Sequence, residues 1–472
     1  MSIHDIKNAV FPKASYEAWE QAALKTLKSN SLEALYKETY EEIKLSPIYT
    51  KNDIDNRVED SCFRGVFENN NWKIAQKLCS HNWDDLKRLM LEAKELGQET
   101  VSFDADHLND IHKVDFAEIN KIFNLSSTPI MIFTNYHYQS IAHQLLQMNA
   151  DHVSGAVAFD IISSQLEQGY LYKQEGQSWE AWKQMISKLE AKFPSLRTIL
   201  IDSTPYHNSG ANAVQELAAS LSEAVLVIEE LRKIGWEPRK AMQKMIFHFS
   251  IGSNFFMEIA KLRAFRILWK TITSAYNVPF ELCFPLISAE TSNFTKSVLD
   301  AYTNILRSGN EAFAAVIGGV NFLHVKPFKS VSYPTDEFAM RIARNTQLLL
   351  REEAYLDKVI DPSGGSFYTE VLTTNLVDKA WELFQMIDKK GGIYSVLQSG
   401  WFQNIVKEVL TKRLEDIQTR KKVMIGVNAF KQDSSLPSWQ KSKPVYDNPE
   451  DTVKIEPLVQ VRLAEKSESG GF

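Results

Sequence analysis

Several patterns that would identify common classes of protein are missing from this sequence of 472 residues. There are only 3 cysteines, Cys62, Cys79 and Cys283, and no CxxC pair, so we expect reduced thiols and neither a disulfide framework nor a zinc site. The histidines never take the HExxH spacing, and no metal site is predicted. No GxGxxG follows the first predicted strand, which removes the usual sign of a dinucleotide-binding sheet.

Charge and hydropathy exclude further classes. The formal net charge of -6 and the pI of 6.0 provide no positive field that would attract nucleic acid or an anionic membrane. No apolar run approaches the roughly 18 residues of a membrane-spanning helix. Asp5 and Lys7 interrupt the apolar stretch that a signal peptide would need. We therefore expect a cytoplasmic protein that binds neither nucleic acid nor membrane.

The sequence does contain a regular alternation of β-prone runs with amphipathic helical segments, such as 216–235 and 254–272. Repeated βα units of this kind favour an α/β fold, a (β/α)8 TIM barrel, over an open doubly wound sheet. Seven runs can be placed, and we expect the eighth strand between 326 and 350. The seven runs are 101–104, 129–134, 154–160, 197–202, 244–251, 281–288 and 320–325.

The rest of the chain is predicted to extend this barrel at both ends. The segment VIDPSGGS is rich in turn-forming residues and marks where the barrel gives way to further helices. We expect the first segment to be an arm that contacts a partner subunit. The predicted division is an N-terminal arm at 1–85, the barrel at 86–358, a helical extension at 359–430 and a linker or tail at 431–472.

Four stretches resemble the substrate-barrel half of methylmalonyl-CoA mutases in their order and approximate spacing: SPIYT (46–50), IGSNFFMEIAKLRAFRILW (251–269), 334–370 and IGVNAF (425–430). The resemblance implies an adenosylcobalamin-dependent interconversion of methylmalonyl-CoA and succinyl-CoA, in which the cofactor supplies the radical. It also implies a C-terminal domain with the motif Asp-x-His-x-x-Gly, whose histidine ligates cobalt.

Two segments come close to the cobalt-ligand motif, and both fail. Residues 110–115 have Asp and His correctly spaced but Asp115 in place of Gly, and residues 205–210 have Pro205 in place of the Asp that would tune the ligand. No confident cofactor-binding residue is therefore assigned. The resemblance implies that adenosylcobalamin is bound by a catalytic large subunit, with which this chain would form a heterodimer.

The resemblance also implies basic and polar substrate contacts at the ends of barrel strands, and the sequence has few of them. No Arg follows the third predicted strand, and Phe284, Pro285 and Ile287 occupy the stretch at the sixth. Lys329 and Ser330 stand where catalytic chains of the family place acidic residues. We interpret these differences as a loss of anion recognition.

Tyr206 and His207, after the fourth predicted strand, are the vestigial catalytic candidates. A histidine can serve as a general acid or as a donor to a thioester carbonyl. Small subunits of the family look alike in this segment, however, so we expect His207 to be structural, and His324 likewise. No catalytic residue is assigned with assurance.

Phenylalanines crowd the strand segments, and alternation should send several of them into the barrel, where they would narrow any substrate channel. The residues concerned are Phe103, Phe133, Phe159, Phe247, Phe249, Phe284 and Phe322. Three functions stay open at this point. The first is a non-catalytic subunit of a heterodimeric mutase, and the second is the substrate barrel of a split mutase. The third is a free-standing binding protein for CoA esters, which would use Lys326 and Lys329 at a basic mouth.

Overall fold

A computed structural model describes residues 15–54, 70–150, 152–331, 336–431 and 450–469. Its strands are β1 (Lys37–Glu38), β2 (Lys44–Leu45), β3 (Lys73–Ile74), β4 (Val101–Ser102), β5 (Ile130–Phe133), β6 (Gly155–Phe159), β7 (Tyr170–Tyr172), β8 (Leu196–Asp202), β9 (Met245–Ile251), β10 (Leu286–Thr291), β11 (Phe322–His324) and β12 (Thr452–Lys454).

Helices follow most of the barrel strands and continue beyond them. They are α1 (Tyr16–Leu27), α2 (Trp83–Glu95), α3 (Phe116–Phe123), α4 (Tyr138–Gln147), α5 (Gln177–Lys192), α6 (Thr204–Asn208), α7 (Ala213–Arg232), α8 (Pro238–Lys244), α9 (Phe255–Ala275), α10 (Thr303–Ile317), α11 (Glu337–Glu352), α12 (Phe367–Lys389), α13 (Gly392–Gln398), α14 (Trp401–Gln418) and α15 (Glu465–Glu468). None of these helices is long and apolar enough to cross a bilayer.

Within the described residues, eight strands form one parallel sheet in the order β3-β11-β10-β9-β8-β6-β5-β4. The two ends of this sheet meet, because Leu78, just beyond β3, bridges Phe103, just beyond β4. The backbone N–H of Leu78 donates to the carbonyl of Ser102 over 3.0 Å. Parallel neighbours joined by helices in a closed sheet make a (β/α)8 barrel, so the predicted fold class is confirmed.

The expected position of the eighth strand is wrong. Helix α11 occupies most of the region from 326 to 350, and the additional strand is β3, at Lys73–Ile74, inside the segment predicted as an arm. β3 is two residues long and begins with a lysine, so it offers no run of alternating or continuous apolar residues. The predicted strand at 281–288 is also displaced, since β10 begins only after Pro285, which cannot donate to a sheet ladder.

The helical layer is held by ordinary capping and packing. At the start of α7 the side chain of Asn212 accepts from the N–H of Gln215 over 2.9 Å, and the Gln215 side chain accepts from the N–H of Asn212 over 3.0 Å. This reciprocal cap satisfies two N–H groups that the helix leaves open. Helix α9 packs against α7, α10 and α12. The helices predicted near 216–235 and 254–272 are therefore confirmed.

Most of the strand phenylalanines point away from the barrel axis, so the expectation that several fill it is largely wrong. Phe247 and Phe249 pack on the helices, and the Phe247 ring centroid lies 4.6 Å from that of Phe265. Among the seven, Phe133 and Phe322 pack with a separate inner cluster. The other buried members of that cluster are Ala75, Met131, Ala156, Ala158, Leu200 and Ile246, with Leu286 partly buried.

Both terminal regions pack on the barrel. The β1–β2 hairpin is tied to the start of α7 by the side-chain amide of Asn212, which donates to the carbonyl of Tyr40 over 2.8 Å, and to α14 by the Tyr40 hydroxyl, which donates to Asp416 over 2.7 Å. At the other end β12 pairs antiparallel with β7, and the N–H of Leu463 donates to the carbonyl of Phe294 over 3.0 Å. Residues 450–469, predicted as part of a linker or tail, thus lie along loops that follow β6 and β10. Residues 1–14 and 55–69 of the predicted arm and residues 432–449 and 470–472 of the predicted tail fall outside the described ranges.

Candidate site at the carboxyl ends of the barrel strands

Chemistry in (β/α)8 barrels takes place at the carboxyl ends of the strands, and here that end is lined by polar side chains above an apolar floor. The strand register aligns Leu200, Ile246 and Leu286 in one layer. Two residues further along, the same strands carry Asp202, His248 and Ser288. Because side chains alternate along a strand, both layers face the barrel interior.

Glu290, near the end of β10, is the centre of a buried charged cluster. Its carboxylate lies 2.5 Å from the Lys326 ammonium, 3.7 Å from His248 Nε2 and 4.0 Å from the Lys77 ammonium. Burial alone would raise the pKa of Glu290, but Lys326, His248 and Lys77 together lower it well below its ordinary value. The carboxylate is therefore charged and serves as the counter-ion of two lysines.

The two histidines of the cluster are held by neighbouring groups. His324 Nδ1 accepts from the backbone N–H of Lys77 over 3.2 Å, which places the ring proton of a neutral imidazole on Nε2. Burial, reinforced by the charge of Lys77, lowers the pKa of His324 well below its usual range. His248 Nδ1 lies 3.1 Å from the hydroxyl of Ser288.

A second buried group, this time of acids, lies behind the ends of β6 and β8. Asp160 accepts from the N–H groups of Ile162 and Asp202 over 2.8 and 2.6 Å. The Tyr206 hydroxyl donates to Glu223 Oε1, and Glu223 Oε2 is buried without a donor among the described residues. Burial raises the pKa of Glu223 well above its ordinary value, and the charge of Asp160 raises it further. Tyr206 is thus bonded to helix α7.

His207 is bonded at both ring nitrogens. Nδ1 lies 2.8 Å from Glu216 Oε1, and Nε2 lies 2.8 Å from the Ser292 hydroxyl. Glu216 in turn contacts the buried ammonium of Lys261 over 2.8 Å. The imidazole is only 3% exposed, so both nitrogens are engaged within the protein.

Other residues picked out from the sequence lie in different places. Phe284 and Pro285 precede β10, at the opposite end of the barrel from the polar layers, so the expectation that they replace substrate contacts is wrong. Ile287 packs in the core beneath the helices. The candidates for a basic mouth each meet a carboxylate, since Lys329 lies 2.7 Å from Asp336 and Lys326 contacts Glu290.

The turn-rich segment after α11 is fastened to the helical layer by one arginine. Arg263, on α9, reaches Asp361 over 2.6 Å and Glu370 over 2.8 Å. Both carboxylates flank the two glycines of the turn, and the N–H of Gly365 itself donates to Glu370 over 2.8 Å. The segment therefore has a structural role, since its ion pairs with Arg263 connect α9 to α12.

The two segments that come close to the cobalt-ligand motif place their histidines differently from that motif. Asp110 accepts from the N–H of Trp83 over 2.9 Å and pairs with Lys113 over 3.2 Å, while His112 is exposed. His207 has no free nitrogen. Among the described residues no group of three or more acidic, histidine or cysteine side chains is placed to hold a metal ion. Cys79 and Cys283 form no disulfide, and Cys62 lies outside the described residues.

The sequence did contain a signal for the charged cluster. His248, Ser250 and Glu290 are polar residues inside strands whose other members are apolar, and buried polar residues in a strand require partners. The partners themselves could not be predicted, because closure of the barrel brings Lys77 to Glu290.

These features define a parallel (β/α)8 barrel with polar side chains at the carboxyl ends of its strands. The charged groups among them, centred on Glu290, pair with one another. The sequence profile of the family Methylmalonyl-CoA mutase matches residues 92–469. The chain belongs to the methylmalonyl-CoA mutase family.

Some of the individual relatives are named as small subunits, and others are named simply as methylmalonyl-CoA mutase. The chain is 29% identical to the methylmalonyl-CoA mutase small subunit of Porphyromonas gingivalis, over 89% of this chain and 70% of that protein. It is 27% identical to the methylmalonyl-CoA mutase of Escherichia coli, over 89% of this chain and 65% of that protein. A probable small subunit from Mycobacterium bovis is 35% identical over 53% of this chain and 41% of its own length. The chain thus spans about two thirds of the first two relatives.

Proposed function

We propose that this chain is the small, non-catalytic subunit of a heterodimeric, adenosylcobalamin-dependent methylmalonyl-CoA mutase. In this proposal a large subunit binds the cofactor and the acyl-CoA and carries out the isomerisation to succinyl-CoA. When bound there, the cofactor supplies the radical. This chain would form a barrel of the same family and contribute a surface that binds the large subunit.

The observation that carries the proposal is the self-contained pairing of the polar groups at the barrel mouth. Glu290 is held by Lys326 and Lys77, and His207 is bonded at both nitrogens. A substrate site needs polar groups that the substrate can engage, because buried donors and acceptors must be satisfied by one partner or another. Polar groups that already form their hydrogen bonds and ion pairs within the protein leave few donors and acceptors for an acyl-CoA to bind.

The experiment compares three preparations: this chain alone, the large subunit from the same organism alone, and the two produced together. We expect the pair to co-purify as a stable complex that converts methylmalonyl-CoA in the presence of adenosylcobalamin. We expect the isolated chain to bind neither ligand in an equilibrium titration and to show no turnover. Failure of the two chains to associate would count against the heterodimer.

A second function, the substrate barrel of a split mutase, is favoured by the similar identity to whole mutases and to a small subunit, 27% and 29%. It predicts that this chain, supplied with only a separate corrin-binding domain, turns over methylmalonyl-CoA. That outcome would replace our first proposal.

A further inference from the structure

The surroundings of Glu290 have the composition of a binding site for a small carboxylate. Two ammonium groups and one imidazole nitrogen lie within 4.0 Å of a single carboxylate at the inner end of the barrel mouth. The side chain of Glu290 is 6% exposed, that of Lys326 is 12% exposed and that of Lys77 is 26% exposed. Both lysine side chains are therefore more exposed than the carboxylate that they contact.

We propose that the Glu290 side chain is an internal ligand that occupies a carboxylate-binding site formed by Lys326, Lys77 and His248. The inference rests on the proposed function, because it explains why a barrel of this family would not accept an acid substrate. The site is full as long as the glutamate is present. It belongs to the chain itself and needs no partner subunit.

The contacts assign unequal roles to the two lysines. Lys326 makes the short contact with Glu290, whereas Lys77 lies farther away and also feels the charges of Asp104 and Asp202. Occupation of the site by a carboxylate should therefore depend chiefly on Lys326. Lys326 is anchored in place, since its backbone N–H donates to the hydroxyl of Thr291 over 2.8 Å.

The test is chemical rescue of Glu290→Ala by acetate, whose carboxylate and methyl group replace most of the missing side chain. Removing one partner of a buried ion pair leaves the other charge uncompensated, so we expect the unfolding temperature of the variant to fall by several degrees. Acetate at about 100 mM should restore at least half of this loss, and chloride at the same ionic strength should not. Wild type should respond equally to both salts.

Two controls separate a built site from a general salt effect. Glu311→Ala removes a more deeply buried carboxylate, which lies 2.7 Å from Lys296 with both side chains fully buried, and acetate should not rescue it because neither partner is reached by solvent. The double variant Glu290→Ala with Lys326→Met should not respond to acetate either. A folded Glu290→Ala that is indifferent to acetate, a wild type that is stabilised by it, or a rescue that survives the loss of Lys326 overturns the proposal.

If Glu290→Ala does not fold, Glu290→Gln answers the same question. Without its counter-ion Lys326 should be labelled by trinitrobenzenesulfonate, an anionic reagent, several-fold faster than in wild type, as read by mass spectrometry. Unchanged labelling overturns the proposal. The outcomes are separable from the mutase test: a catalytically active isolated chain would refute the proposed function, and absent rescue with an inactive chain would refute only the internal ligand.

Discussion

The acidic group behind the barrel mouth predicts how stability changes with pH, and Glu223→Gln tests it. Glu223 accepts from Tyr206 at one oxygen, and its other oxygen is buried near Asp160. Burial, the largest cause, raises the pKa of Asp160 to about 6, and it raises the pKa of Glu223 well above its ordinary value. Both carboxyl groups therefore keep their protons to a higher pH in the folded protein than in the unfolded chain. A glutamine keeps a donor and an acceptor in the same place without titrating.

The sign follows from proton linkage. A carboxyl group with a raised pKa in the folded state keeps its proton after the unfolded chain has lost it, so the free energy of unfolding falls as pH rises from the unfolded pKa toward the folded one. For Asp160 the shift from 3.8 to about 6 corresponds to about 3 kcal/mol at about 1.4 kcal/mol per unit. Glu223 extends the loss to higher pH.

We expect the unfolding free energy of Glu223→Gln, measured by urea denaturation from about pH 5 to about pH 9, to decline less steeply than that of wild type. The variant should be the more stable protein at the alkaline end. Glu230→Gln is the matched control, because Glu230 lies on the same helix but pairs with Lys183 over 3.0 Å. It should be destabilised throughout. Parallel pH profiles for wild type and Glu223→Gln would refute the raised pKa of Glu223.

Three further changes test other parts of the structure. Arg263→Met should lower the unfolding free energy by about 3 to 5 kcal/mol in denaturant titrations, because it leaves Asp361 and Glu370 buried without their cation. Tyr206→Phe should cost about 1 to 3 kcal/mol, since Glu223 loses its donor, while co-purification with the large subunit is retained. Gly155→Ala should give insoluble protein, because φ is +94° and the new methyl group would collide with the carbonyl oxygen of Ile130. Expression at low temperature, followed by separation of the soluble fraction, measures this outcome.

The barrel could be predicted because its repeated units are long and regular. Helices α7 and α9 are long and mostly apolar, and the runs that became β8 and β9 are rich in β-branched and aromatic residues. β3 could not be recognised, because its two residues gain their strand conformation from pairing with β11 and not from their own pattern.

The inner and outer faces of the strands could not be predicted from the sequence. Parallel strands that are buried on both sides can carry apolar residues on either face, and the alternation of His248 and Ser250 with apolar residues in β9 does not by itself show which face meets the helices. Phe247 and Phe249 turned out to face α9, whereas His248 between them faces the barrel. The charged cluster depends on the same choice of face, because Glu290 meets Lys77 only when its side of β10 points into the closed barrel.

The pairing of β3 with β11 has a consequence for how the protein is made. Residues 73 and 322 are partners in the sheet, so the ring of strands stays open on the ribosome until the chain has been synthesised past β11. During that time β3 and the growing opposite edge of the sheet expose unpaired backbone groups, which invite association with other nascent chains. Slow synthesis before β11 should therefore reduce the yield of soluble protein more than slow synthesis after it.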